Sequence, residues 1–209
     1  MVQSNAEANE SIIDDQGLDV LTEIVNIGVG RAAAVLNRVV NAHVSLSVPS
    51  IELVSRGELA QRMTGGAGAD EKLSWVELGF DGDMQGAASL MFPRDDAEKL
   101  VSALVGEAVE ADWDEARVGT LTEVGNIVLN GIMGSLANMS GCRLNYTVPT
   151  CSEGTVEVAS QVHGTSSDCV CLVASARFVI SALGLDGSVV LFFDLEQIGG
   201  LVETLLAAS

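Results

Sequence analysis

Three polar side chains stand close together near the start of the chain: Asp19, Glu23 and Asn26. At about 100° per residue, their spacings of four and seven place all three within roughly 60° on one face of an α-helix. A carboxylate can accept a hydrogen bond from a cationic partner, and a neutral amide can orient a water molecule. The three residues therefore indicate either a docking surface for another molecule or a site that positions a water.

The helix that would carry them is predicted from the apolar residues around them. These recur every three or four positions, which is typical of a helix with one buried face: Leu18, Leu21, Val25, Val29, Ala33, Leu36 and Val40. Asp14 or Asp15 is a suitable N-cap, and Asn41 is a suitable end. The alternating segment 42–54 then predicts a strand, which Pro49 interrupts because proline lacks the amide donor.

The same pattern returns in the second half of the chain. Segment 121–127, LTEVGNI, repeats segment 21–27, LTEIVNI, at a shift of one hundred, and Pro149 repeats Pro49 at the same shift. Segment 187–193, GSVVLFF, likewise repeats segment 86–92, GAASLMF. Since order and spacing both persist, the sequence predicts an internal duplication in which Glu123 and Asn126 take the places of Glu23 and Asn26.

The remaining segments complete the predicted repeat unit. Segments 73–80 and 86–92 read as strands joined by the turn 81–83, a helix is predicted to start at Pro93, and 107–114 reads as an acidic link. The glycine-rich segment 62–72 lacks the Lys-Ser/Thr ending of a phosphate loop, so a hairpin connection is the better interpretation. The predicted fold class is α+β: a tandem duplication of a helix-strands-helix unit forming one mainly antiparallel sheet, with two long pseudo-twofold-related helices on its face.

The domain prediction is a flexible tail at 1–13 and a single domain at 14–209, made of two repeats at about 14–107 and 108–209. Each half alone would leave an apolar face open, and pairing both halves in one sheet closes a common core. No apolar run resembles a membrane span, and no signal peptide is recognisable at the start of the sequence, so we expect a cytoplasmic protein without membrane insertion.

Charge and composition narrow the class of partner. There are 29 acidic and 10 basic residues, and the net charge of −19 argues against binding to nucleic acid or anionic membranes, which are polyanions. The charge suits a partner with a basic patch, or it serves only solubility. The four cysteines form no CxxC motif and have no ligand spacing with the two histidines. No zinc site is therefore expected, and the thiols are predicted to be reduced.

The Glu-Asn pairs can be interpreted in two ways that involve no function, and in one way that does. A glutamate and an asparagine on a helix are usually solvated surface, and an asparagine can also bond to a neighbouring loop for structural reasons. However, most of the duplicated sequence has diverged while glutamate, asparagine and proline remain in register. Their joint retention at one shift favours an active surface on each long helix.

The pattern resembles a known family. Asp19-x3-Glu23-x2-Asn26 followed by twenty-two residues and Pro49 resembles the signature of the CheC, CheX and FliY phosphatases of bacterial and archaeal chemotaxis, and Glu123-x2-Asn126 again has twenty-two residues before Pro149. The resemblance covers residues 18 to 207 and is greatest to CheC, whose single chain holds two such sites.

This resemblance implies hydrolysis of the aspartyl phosphate on the response regulator CheY. The implied roles are orientation of the attacking water by Asn26 and Asn126, and engagement of the regulator's lysine by Glu23 and Glu123. Asp19 would extend the docking contact. Mg²⁺ would be supplied by the phosphorylated regulator, so the protein needs no cofactor of its own.

One departure and two alternatives accompany this resemblance. Gly119 stands where the family has Asp or Ser, which predicts a weaker second site. The first alternative is a non-catalytic CheC-like module that sequesters CheY or docks the receptor deamidase CheD. The second is a structural motor component related to FliY or FliM, which the lack of room for a rotor-binding domain disfavours.

Overall fold

The computed structural model describes residues 15–46, 50–55, 71–105, 113–155, 158–159 and 170–194. The described helices are α1 (Asp15–Val40), α2 (Arg94–Val105) and α3 (Trp113–Ser140). The strands of the first half are β1 (Val44–Leu46), β2 (Ser50–Ser55), β3 (Lys72–Gly82) and β4 (Gly86–Pro93). Those of the second half are β5 (Leu144–Tyr146), β6 (Thr150–Thr155), β7 (Val170–Ile180) and β8 (Leu185–Asp194).

The described strands form one sheet in which every pairing is antiparallel. Its order is β1-β7-β8-β4-β3-β5, with β2 also paired to β7 and β6 also paired to β3. The prediction of an α+β fold with one mainly antiparallel sheet is confirmed. The boundaries of the two repeats, 14–107 and 108–209, stay a prediction.

A pseudo-twofold relation is visible in the strand registers. At the centre of the sheet β4 pairs with β8, and Ser89 lies opposite Val190. These are equivalent positions when segments 86–92 and 187–193 are aligned. Toward the edges the halves exchange strands: β1 and β2 pair with β7 of the second half, while β5 and β6 pair with β3 of the first. Each half therefore completes the sheet of the other.

The main core lies between the helices and one face of the sheet. Val76, Leu78 and Phe80 alternate toward this core from β3, and all three are buried. The α1 and α3 helices pack closely, because a Cβ built on Gly28 would stand 3.1 Å from the Ile132 carbonyl oxygen. Gly28 thus permits a close approach that explains a residue otherwise unfavourable within a helix.

The opposite face of the sheet is also covered. Trp75 of β3 and Met91 of β4 lie opposite one another and are buried in a second, smaller cluster. Both faces of the central strands are therefore packed, which holds the sheet firmly beneath the long helices.

Two boundaries differ from the predictions. Pro93 is the last residue of β4 and the helix begins at Arg94, one residue later than predicted. The α3 helix starts at Trp113, inside the segment predicted as an acidic link. Both helices carry acidic residues in their first turn, which suits the positive end of the helix dipole.

The C-terminal end of α1 agrees with the predicted signal, whereas Asp14, one of the two predicted N-caps, lies outside the described residues. The helix starts at Asp15 and ends at Val40, and Asn41 then takes a φ of 48°, the left-handed conformation that commonly terminates helices. Asn37 accepts a hydrogen bond from the Val44 amide at 2.5 Å, which ties the helix end to β1. The predicted tail at 1–13, the glycine-rich segment up to residue 70 and the segment after residue 194 lie outside the described residues.

Two of the four cysteines are described in full. Cys142 and Cys151 are free thiols and half-buried, and burial raises the pKa of the Cys151 thiol. A raised pKa leaves less of the reactive thiolate at neutral pH. Among the described helices, none is long and apolar enough to cross a membrane.

Candidate functional site

The first polar pair lies on the outer face of α1. Asp19, Glu23 and Asn26 are all exposed, while Leu21 and Val25 between them are buried against the core. Within the described part of the chain, no side chain forms a hydrogen bond or ion pair with any of the three polar residues. Their carboxylate and amide groups are therefore presented to solvent, as a surface that receives a partner requires.

The second pair occupies the equivalent face of α3 with two differences. Glu123 is exposed like Glu23, but Asn126 is only half exposed. The Nδ2 group of Asn130, one turn later, donates to the Asn126 Oδ1 at 2.5 Å and to the Asn126 main-chain oxygen at 2.9 Å. The amide oxygen at the second site thus has an intramolecular partner.

Gly119 is the position that departs from the repeat. It is exposed, and apart from its chain neighbours and the nearby backbone of α3, no atom of the described residues lies within 4 Å of the place its Cβ would take. A side chain can be added there without a steric clash, on the same helical face as Glu123 and Asn126. The second site therefore lacks a side chain equivalent to Asp19 because residue 119 is glycine, and not because there is no room for a larger side chain.

Because this position is open, Gly119→Asp is expected to strengthen docking at the second site. In an Asn26→Ala background, which leaves only Asn126, the KM for phosphorylated CheY, the substrate that the family resemblance implies, should fall about twofold to fivefold. Gly119→Ala is the control, because it adds the same Cβ and removes the same helix flexibility without a carboxylate. An equal fall of KM in both variants would show that the carboxylate has no part in docking.

The start of α3 is anchored to the sheet by a buried cation. Arg117 is buried and forms an ion pair with Glu153 of β6, whose carboxylate also accepts a hydrogen bond from the Ser74 hydroxyl at 2.9 Å. Asp114 lies 3.5 Å from the same guanidinium. The chain has glycine, Gly17, at the equivalent place in α1. The anchor holds the first turns of α3, which include Gly119, on the sheet.

Farther along α3, Gly125 sets the distance between helix and sheet. In the sequence it lies between Glu123 and Asn126, and it is buried. A Cβ at this position would stand 2.6 Å from the Cβ of Val76 in β3. The helix backbone therefore rests directly on Val76. Val25 occupies the equivalent position in α1, so the two pairs are supported differently.

Pro149, the third element of the repeated motif, stands at a break in the sheet. Between the pairs Phe80↔Tyr146 and Glu77↔Thr150, the three residues 147–149 oppose two residues of β3. Thr147 bonds to Gly79 through its main-chain N–H and its hydroxyl oxygen, each at 2.9 Å. Proline has no amide donor, so the ladder bulges here, and Val148 is left 82% exposed.

The structure places the glutamate and the asparagine of each pair side by side, but it does not combine the two pairs into one site. Each pair is on its own long helix, shortly before the region where α1 and α3 pack at Gly28 and Ile132. Among the described residues, no hydrogen bond or ion pair connects the first pair with the second. The arrangement is one of two separate surfaces.

Two residues of the second site went unrecognised in the sequence. Asn130 could have been found by comparing the repeats, since it follows Asn126 at the i+4 spacing that brings side chains together and its equivalent is Gly30. Arg117 gave no signal, because its contact with Glu153 joins residues far apart in the chain.

The side chains at these surfaces offer hydrogen bonding and charge. No cluster of three or more histidine, cysteine or acidic side chains in the described ranges could hold a metal ion. Neither pair includes a nucleophilic hydroxyl or thiol. An exposed carboxylate and a neutral amide one turn apart can bind a cationic group of a partner and orient a water beside it.

Comparisons with known proteins agree with this picture. A profile of the family described as "Chemotaxis phosphatase CheX" matches residues 76–174. The chain is 28% identical over 144 residues to the CheY-P phosphatase CheC of Bacillus subtilis, an overlap of 67% of this chain and 68% of that protein.

Solved structures share the fold. Thermotoga maritima FliY has a TM-score of 0.68 at 14% identity, covering 94% of this chain and 99% of that one. CheX in the CheX-CheY-BeF3-Mg complex of Borrelia burgdorferi has a TM-score of 0.54 at 19% identity, covering 79% of this chain and 94% of that one. At these identities the likeness extends to the fold alone.

Proposed function

Because the chain belongs to the family of chemotaxis proteins that includes CheC, CheX and FliY, we propose that it is a phosphatase acting on the aspartyl phosphate of a CheY-type response regulator. The observation that carries the proposal is the repeated Glu-Asn pair on an equivalent face of two long helices, where Glu23, Asn26 and Glu123 are exposed and Asn126 is half exposed. The similarity to a CheY-P phosphatase over two thirds of the chain supports the same substrate.

Each residue type suits one part of the reaction. An acyl phosphate is already reactive, and the regulator carries the Mg²⁺ and the lysine around it, so the phosphatase needs to supply little more than a positioned water. The water oxygen forms a bond to phosphorus while the bond from phosphorus to the aspartyl oxygen breaks. The products are inorganic phosphate and a free aspartate on the regulator.

In this reaction the amide of Asn26 orients the water, and the amide of Asn126 does so at the second site. A neutral amide adds no negative charge beside the phosphoryl group, which a second carboxylate would do. Glu23 and Glu123 bind the regulator's lysine and so place the helix against the phosphorylated site, while Asp19 extends the contact at the first site. The helices supply these groups on rigid elements that are held by the core.

The test is the release of inorganic phosphate from phosphorylated CheY in Mg²⁺-containing buffer, with and without the protein. We expect a clear acceleration that the double variant Asn26→Ala/Asn126→Ala reduces by about a hundredfold. Asn138→Ala is the matched control: it removes an exposed asparagine from the far end of α3, where we expect full activity. A protein that binds phosphorylated CheY without accelerating phosphate release would be the sequestering module instead.

A further inference from the structure

The two asparagines of the proposed sites have different neighbours one helical turn later. Asn130 lies one turn after Asn126 and donates from Nδ2 to the Asn126 Oδ1 at 2.5 Å and to its main-chain oxygen at 2.9 Å. Gly30 stands at the equivalent place after Asn26 and has no side chain to donate. Asn26 has no hydrogen-bonding partner for its side chain among the described residues, and it is the more exposed of the two.

From this difference we propose that Asn130 is a positioning residue that holds the Asn126 carboxamide against its own helix and so lowers turnover at the second site. The proposal rests on the proposed function and deepens it, because it assigns different rates to the two sites. Gly30 is its counterpart, a residue that leaves the Asn26 carboxamide free to turn toward an incoming water.

The physical basis is competition for one acceptor. An amide oxygen has two lone pairs, and the bond from Asn130 uses one of them. The same bond directs the oxygen along α3 toward the next turn, because residues four apart lie above one another on a helix. A water beside the partner's phosphoryl group must then displace this bond or use the remaining lone pair. Breaking a neutral hydrogen bond changes an equilibrium by about twofold to tenfold.

Both helices allow the exchange of these residues. Apart from its chain neighbours and the nearby backbone of α1, no atom in the described ranges lies within 4 Å of the Cβ position of Gly30, so an asparagine can be introduced there without a clash. Asn130 is half exposed and alanine is a better helix former, so Asn130→Ala should fold. The restraint can therefore be removed from one site and added to the other in the full-length protein.

The experiment measures phosphate release from phosphorylated CheY in single-site backgrounds. With Asn26→Ala, which leaves the second site, adding Asn130→Ala should raise kcat about twofold to tenfold without changing KM, because Glu123 still docks the regulator. With Asn126→Ala, which leaves the first site, adding Gly30→Asn should lower kcat by a similar factor. Gly30→Ala is the matched control, because it changes helix propensity at the same position without adding an amide.

A second measurement does not depend on activity. The side-chain amide of Asn126 should show a high NMR order parameter in the unmodified protein and a lower one in Asn130→Ala, while Asn26 should already be mobile. If the unmodified protein does not accelerate phosphate release, the proposed function fails, yet these order parameters still report the restraint. A kcat that falls or stays constant on Asn130→Ala, or an Asn126 amide equally mobile in both proteins, would overturn the role of Asn130.

Discussion

Replacing Asn26 by alanine is expected to lower phosphate release from phosphorylated CheY about tenfold, whereas Asn126→Ala should lower it by less than about twofold. The first site has all three polar groups exposed and an unrestrained amide. The second site has Gly119 in place of a docking side chain and an amide held by Asn130. Most of the turnover should therefore pass through the first site, and the activity that remains in Asn26→Ala should come from the second.

The measurement is kcat and KM for each single variant, with circular dichroism to verify folding. The loss should fall on kcat, because removal of an amide that orients water affects the transition state more than docking. Asn138→Ala again provides the control for an exposed asparagine on the same helix as Asn126. If the two single variants lose activity equally, the ranking of the sites is wrong and neither Gly119 nor Asn130 weakens the second.

The largest expected effect on stability is that of Gly125→Ala. The new Cβ would stand 2.6 Å from the Cβ of Val76 and closer still to its Cγ1, well inside the contact distance of two carbons. Val76 cannot retreat easily, since it is 1% exposed and its strand is hydrogen-bonded on both sides, opposite Leu90 and Cys151. Such overpacking typically costs about 1–3 kcal/mol, which should lower the Tm by about 3–10 °C for a chain of this size.

Gly134→Ala is the matched control for this prediction. Gly134 lies in the same helix, and no other described element has an atom within 4 Å of its Cβ position, so alanine there should stabilise the protein by up to about 1 kcal/mol. Thermal denaturation of both variants separates the steric effect from helix propensity. Equal Tm values for the two would show that α3 is not in contact with the sheet at Val76.

The elements themselves could be predicted from the sequence, because their signals are local. The three-and-four spacing of apolar residues predicted the long helix at 15–40, and segment 73–80 was predicted as a strand, which β3 confirms. The same periodicity fixes the rotation of the helix about its axis, so it predicts a polar face for Glu23 and Asn26, and both are exposed. The repeated LTExxNI segments likewise predicted a second copy of the helix, which is α3.

Contacts between distant residues could not be predicted in this way. The support of Gly125 by Val76 and the anchoring of Arg117 by Glu153 each join residues at least 36 positions apart. From the sequence alone, a glycine within a helix indicates only lower helix stability, and a lone arginine indicates a solvated charge. Their roles become clear only when the neighbouring element is known. These contacts determine how each polar pair is held, and therefore how the two sites differ.

The order of residues along the chain is enough to predict a duplication, the helical and extended segments, and the side chains that each helix turns outward. The exchange of strands between the halves, with β2 on β7 and β6 on β3, emerges only in the folded chain. Alternation of apolar residues indicates which face of a strand is buried, but the hydrogen-bonding edges are the same backbone groups in every strand. The choice of neighbour depends on how the long helices and one sheet close a common core, and the two helices that carry the Glu-Asn pairs both pack on that core.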